Sequence, residues 1–165
     1  MSGESPGGEA VVAVTGETGT LRSFRTACHQ AAGSTPGVTF YELTEAAGAT
    51  AFHSAAMSER RLRHRVVCRP RGGLVAFAAP PAFPGSAVLH FREPPRWAEV
   101  FTVHGLRVLD AAALATPLSA IDRDGLDETD QHAARRWRPG TLGELLFNWW
   151  ERPASPGARA GRPVH

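Results

Sequence analysis

Arg60-Arg61-Leu62-Arg63-His64-Arg65-Val66-Val67-Cys68-Arg69 is the stretch on which the architecture turns. As a strand it puts Arg61, Arg63, Arg65 and Arg69 on one face, interrupted only by Val67. Leu62, His64, Val66 and Cys68 then share the other, because successive side chains of extended backbone point to opposite sides. The alternation sets the register, since a slip of one residue would turn four guanidiniums into the core. Around this stretch, apolar and β-branched runs alternate with turn signals, predicting further strands near 38–46, 49–57, 73–79 and 86–92. The breaks fall at Ala47-Gly48, Ser58-Glu59, Pro70-Arg71-Gly72-Gly73 and the loop from Pro80 to Gly85. At the third break, proline followed by a glycine pair supplies both the fixed and the positive φ of tight turns.

On the N-terminal side, Ala10 to Val14 reads as a short strand stopped by Gly16. A helix then opens at Thr18 or Thr20 and runs to about Ala32, with Leu21, Phe24, Cys28 and Ala31 on one stripe and Gly33 and Pro36 ending it. On the C-terminal side, Pro94-Pro95 closes the meander. Val100 to Leu109 predicts one more strand pair broken at Gly105, and helices follow near 110–115, 127–137 and 142–150. The last carries a capping box, Thr141 with Glu144, ahead of Leu142, Leu145, Leu146 and Trp149 on one helical face. The helix before it has Asp127, Glu128 and Asp130 at its start and Arg135 and Arg136 at its end, matching the macrodipole.

The pattern predicts an α+β fold: an N-terminal helix packed on a curved antiparallel meander of four to five strands, with additional C-terminal helices. Cystatin-like and NTF2-like cones have this general shape, an analogy of architecture that carries no function. Residues 10–152 read as a single domain. The Gly-, Pro- and Ser-rich segments 1–9 and 153–165 read as disordered tails.

Composition narrows the setting. There are 18 basic residues and no lysine among them, while Asn148, Ile121 and Tyr41 are each the sole residue of their type. Joint depletion of residues with AT-rich codons points to a high-GC, bacterial genome, so the choice of arginine over lysine carries no message and only its placement does. A net charge of +2 makes no strong case for nucleic acid. Cys28 and Cys68 have neither disulfide-framework nor zinc spacing, which fits reduced, buried thiols. The absence of a secretory-type start and of an 18-residue apolar run predicts a cytoplasmic chain with no membrane association.

Four features are candidates for function. The arginine face (Arg61, Arg63, Arg65, Arg69) would bind anions or an acidic partner protein, unless Glu42, Glu45 or Glu59 on neighbouring strands neutralise it. Trp149 and Trp150 point in different directions on the last helix and are candidates for partner contact. His64, inward on the arginine strand, and His53 are candidates for a general base, against the commoner role of a core histidine satisfied by backbone. The acidic run Asp122, Asp124, Asp127, Glu128 and Asp130 lacks the glycine and glutamate positions of a calcium loop, and no metal is expected there. It would cap a helix or face the arginine strand of a second copy, giving a homodimer. No cofactor motif is present and none is expected. Together these predict a non-catalytic binding or protein-interaction module using the arginine-rich strand face. The alternative is a small cone-shaped enzyme of isomerase, cyclase or dehydratase type acting on an apolar molecule through an inward histidine.

Overall fold

The computed structural model describes residues 17–47, 51–83 and 88–147. The expected first strand at Ala10–Val14, both tails, and Trp149 and Trp150 lie outside the described residues. Helix α1 spans Glu17–Ser34 and is followed by β1 (Val38–Thr44), β2 (His53–Glu59), β3 (Leu62–Arg69), β4 (Leu74–Ala78) and β5 (Phe91–Arg92). A 3-10 turn, Arg96–Ala98, runs into α2 (Glu99–Val103). Then come β6 (Arg107–Val108), α3 (Ala111–Leu114), α4 (Glu128–Trp137) and α5 (Leu142–Leu146).

Strands β1 to β5 form an antiparallel meander in chain order, and the sheet is not closed. The outer edge of β4 is shared: Phe77 and Ala78 pair with β5, while Leu74 and Val75 pair in parallel with β6. This is the predicted α+β architecture, with one parallel strand added to the meander.

Two local expectations are corrected. The break placed at Ser58-Glu59 falls two residues later, at Arg60-Arg61, where Arg60 takes a left-handed φ of 56° and its N–H bonds to Gly37 O at 2.7 Å. Ser58 and Glu59 stay in β2 because both are used there: Ser58 Oγ lies 3.0 Å from Tyr41 Oη, and Glu59 Oε1 accepts from Trp97 Nε1 at 2.9 Å. Arg61 therefore sits in the turn rather than on the strand face. The second correction is that 100–109 is not a strand pair. Trp97 and Phe101, four residues apart, are both buried, and this helical spacing outweighs the β-branched Val100, Thr102 and Val103. Gly105, at φ 85°, ends the helix and turns the chain into β6.

The sheet is covered unequally. Its first face packs on α1, where Phe24, Ala27, Cys28 and Ala31 meet Met57, Val66, Cys68 and Phe77, with Trp97 and Phe101 closing the side. Its second face carries Val67 and Ala76 under Leu114, Leu146 and Phe147, and beyond them a third cluster joins Leu118, Ala133 and Leu145. The C-terminal helices approach closely here. A Cβ on Gly143 would come within 2.6 Å of Phe91 Cε2 and 3.1 Å of Leu114 O, so only glycine lets α5 lie against β5. The capping box forms: Thr141 Oγ1 accepts from Glu144 N at 3.3 Å, and the Glu144 carboxylate accepts from Gly140 N at 2.8 Å.

Arg69 belongs to this covered region. It was expected on an open face but is buried, its side chain 5% exposed, and Nη2 bonds at 2.6 Å to Asp130 Oδ1 on α4. Arg71 Nη2 reaches the same oxygen at 3.0 Å, and Arg71 Nε lies 3.7 Å from Asp127 Oδ2. The acidic run thus meets the arginine strand within one chain. Asp127 also caps α4 by accepting from Asp130 N at 2.8 Å. Burial opposes its ionisation, but that backbone N–H and the charges of Arg71 and Arg69 outweigh it and hold the carboxyl below its ordinary value. Replacing Asp130 by alanine strands a buried guanidinium and should cost about 3–5 kcal/mol. The double variant Arg69→Met/Asp130→Leu should recover most of that loss. Urea unfolding of the three proteins reads both outcomes, and a D130A loss below about 1 kcal/mol would contradict the buried-pair account.

Candidate functional site

Among the described residues the C-terminal layer stops short of β1 and the outer ends of β2 and β3, leaving part of the second face as a groove of about 630 Å³. Its shape follows from side-chain size. On this face β2 presents Ser54 and Ala56, both small, between longer residues of the neighbouring strands. Ala56 is opposite Arg65 on one side and Glu42 on the other. The register irregularity between Phe40 and Glu42 brings Tyr41 to the same bank. Phe52 lies at one end, and the loop from Pro80 to Phe83 forms a further wall. Tyr41 and Phe83 are 52% and 62% exposed, an unusual amount of ring surface for one small face.

Two predicted residues meet in this groove. Arg63 is exposed and its guanidinium carbon lies 5.2 Å from the centre of the Tyr41 ring. Arg65 is half-buried, stands 5.6 Å from the centre of Phe52, and donates from Nε to Ser54 Oγ at 3.1 Å. Burial pulls its pKa below the usual arginine value. Two of the three glutamates that would neutralise the strand are engaged elsewhere, Glu45 with Arg25 at 3.1 Å and Glu59 with Trp97, while Glu42 lines the groove itself. Among the described residues Arg63 has no ion pair. A guanidinium held over a ring can still present N–H groups to a carboxylate or phosphate.

The remaining predicted residues are elsewhere. Arg61 is in the β2–β3 turn and Arg69 under α4, so neither joins Arg63 and Arg65. Trp149 and Trp150 lie outside the described residues. His53 and His64 point to the first face, as the alternation requires, and are 6% and 4% exposed. The groove reaches the β3 position of His64, but its ring is set edge-on to Phe77 at 5.6 Å and Trp97 at 5.9 Å. His64 Nδ1 lies 3.3 Å from Arg92 Nη1, which can only donate, so the ring proton is on Nε2. His53 Nδ1 accepts from Ala46 N at 2.9 Å and stacks at 6.5 Å on Phe24. Burial lowers both pKa values. Arg92 adds to the effect at His64, with Glu59 opposing; at His53, Glu45 and Glu17 oppose and Arg25 assists. The thiols are similarly subdued: burial pushes Cys28 up to about 12, with Arg25 opposing, and raises Cys68 too. Both shifts favour the protonated thiol.

Sequence reasoning missed Tyr41, Phe52 and Phe83. Only the run of small residues Ser54-Ala55-Ala56 beside the arginine strand could have signalled a trough. No family model, curated protein or solved structure matches the chain.

The two imidazoles give a pH prediction. The ordinary histidine pKa is 6.5, and both native values lie below it. As pH falls through that window, the unfolded chain binds protons the native state refuses, so stability falls. The urea midpoint should hold from pH 8 to 7 and drop progressively below about 6.5, and His64→Gln should flatten part of that slope. A flat wild-type profile from pH 7 to 5.5 would refute the neutral, buried assignment.

Proposed function

We propose that the chain is a non-catalytic binding module that holds an acidic partner in the groove over β2, with Arg63 and Arg65 as its anion contacts. One observation carries the reading: two arginines of one strand, each beside an aromatic ring, line a concave surface, and Arg63 has no ion pair among the described residues. Stacking holds each guanidinium in place before a ligand arrives, which lowers the ordering cost of binding. Tyr41 and Phe83 supply apolar area beside the charges, the combination that marks interaction hot spots. The reading of His53 and His64 as core residues accords with it, since both rings are spent on packing.

A fluorescein-labelled octaglutamate peptide, followed by fluorescence anisotropy at low salt, tests this. Arg63→Ala should weaken binding about tenfold, the loss of one charge-assisted contact. Arg135→Ala, which removes an exposed charge on α4, should leave it unchanged. Equal losses in the two variants would reduce the effect to net charge and end the proposal.

A further inference from the structure

A second hollow, of about 580 Å³, is built wholly from the C-terminal segment and shares no residue with the groove over β2. Leu118 and Ala134, both buried, form its apolar base, and Ser119, Arg123, Arg135 and Arg138 line it with polar groups. The arginines come from two segments. Arg123 opens a 3-10 turn, Arg123–Gly125, while Arg135 lies in the last turn of α4 and Arg138 is its C-cap. A bond from Leu118 N to Gly140 O at 3.0 Å ties the two segments together. No carboxylate among the described residues pairs with any of the three arginines. Asp122, beside Arg123, is turned instead to Asp124 N at 3.0 Å.

Cations at a helix C-terminus ordinarily complement its dipole. That accounts for Arg135 and for Arg136, whose guanidinium turns to the Trp137 ring, 5.1 Å from its centre. It does not account for Arg123, nor for the backbone of Arg138. Arg138 has φ 49° and ψ 55°, the left-handed conformation that glycine usually fills just past a helix end. Arg60, also at positive φ, lays its Cγ over Gly37. The Arg138 side chain has no hydrogen bond or ion pair among the described residues. Codon bias gives no reason for it either, since glycine codons are as GC-rich as those of arginine. A side chain kept where glycine is favoured, and lining a basic hollow, points to a use outside the fold.

Three neighbouring cations repel one another until an anion lies among them. A carboxylate offers two oxygens and one charge. A phosphoryl group offers three oxygens and nearly two charges, so it can accept from several guanidiniums at once, with the Ser119 hydroxyl as a further donor. We propose that this hollow binds a phosphoryl group, with Arg123 and Arg138 as contacts.

Isothermal titration calorimetry on the full chain tests this with three probes: inorganic pyrophosphate, an octapeptide carrying one phosphoserine, and citrate. At least one phosphoryl probe should bind, and Arg123→Ala and Arg138→Gly should each weaken it about tenfold, the loss of one charge-assisted contact. Arg22→Ala, an equal loss of charge on an exposed face of α1, should leave it unchanged. Arg138→Gly should keep or raise the urea midpoint, because glycine suits the left-handed backbone. Tighter binding of pyrophosphate would support the site with a free anion as its ligand; tighter binding of the peptide would support it with a phosphorylated protein segment. Citrate binding as tightly as the better phosphoryl probe would overturn the phosphoryl assignment. Absence of binding by both phosphoryl probes, or equal weakening by Arg22→Ala, would overturn the site. A urea midpoint lowered by Arg138→Gly would place Arg138 in the service of the fold and remove it as a contact.

Discussion

The ion pair between Arg69 and Asp130 joins strand and helix across 61 residues of chain, and the arrangement of the second sheet face depends on it. Removing two charges from water costs several kcal/mol each, which only close pairing and further hydrogen bonds can offset. Here Asp130 Oδ1 accepts from two arginines, and Asp127 brings a second carboxylate to Arg71. Asp127 and Asp130 also begin α4, so the residues that start the helix are the ones that fix it on the sheet. Moving α4 by one turn would separate both carboxylates from both guanidiniums. The position of the C-terminal layer is therefore specified by charge as well as by the contacts of Leu114, Leu146 and Phe147.

The groove is the counterpart of that anchoring. Because the layer is held at the Arg69 end of β3, the described residues leave the Arg63 and Arg65 end uncovered. Identical residue types on one strand face thus meet opposite fates within six residues. Arg69 is neutralised under a helix, Arg65 is half-sheltered on Phe52, and Arg63 lies open on Tyr41. The aromatic rings lie against the two outer cations, and Arg63 has no ion pair among the described residues. The first face has a different logic: His53 and His64 fill space between aromatic rings, and burial in that packing depresses their basicity.

Much of the fold was legible because local signals agreed with tertiary demands. The alternation in β3, the glycine pair at 72–73, the capping carboxylate of Asp127 and the stripe on α1 each report a constraint felt within a few residues. Errors arose where local and tertiary signals conflicted. β-branched residues at 100–103 favour a strand, but burying Trp97 and Phe101 together requires a helix. The β2–β3 turn slipped by two residues because partners on β1 and beyond β5, invisible locally, hold Ser58 and Glu59 in the strand.

By itself the sequence determined the α+β class and the side to which each residue of the arginine strand points. Both follow from backbone geometry, which acts over one or two residues. Only the tertiary structure decided which arginines are buried, which carboxylates they meet and where the open groove lies. Those outcomes depend on contacts between segments tens of residues apart and on how far a covering layer extends, and neither quantity is written in any local pattern. The same three arginines, Arg63, Arg65 and Arg69, could line a wholly solvated face or a wholly buried one; the reach of the described C-terminal helices makes them part anchor and part candidate binding surface.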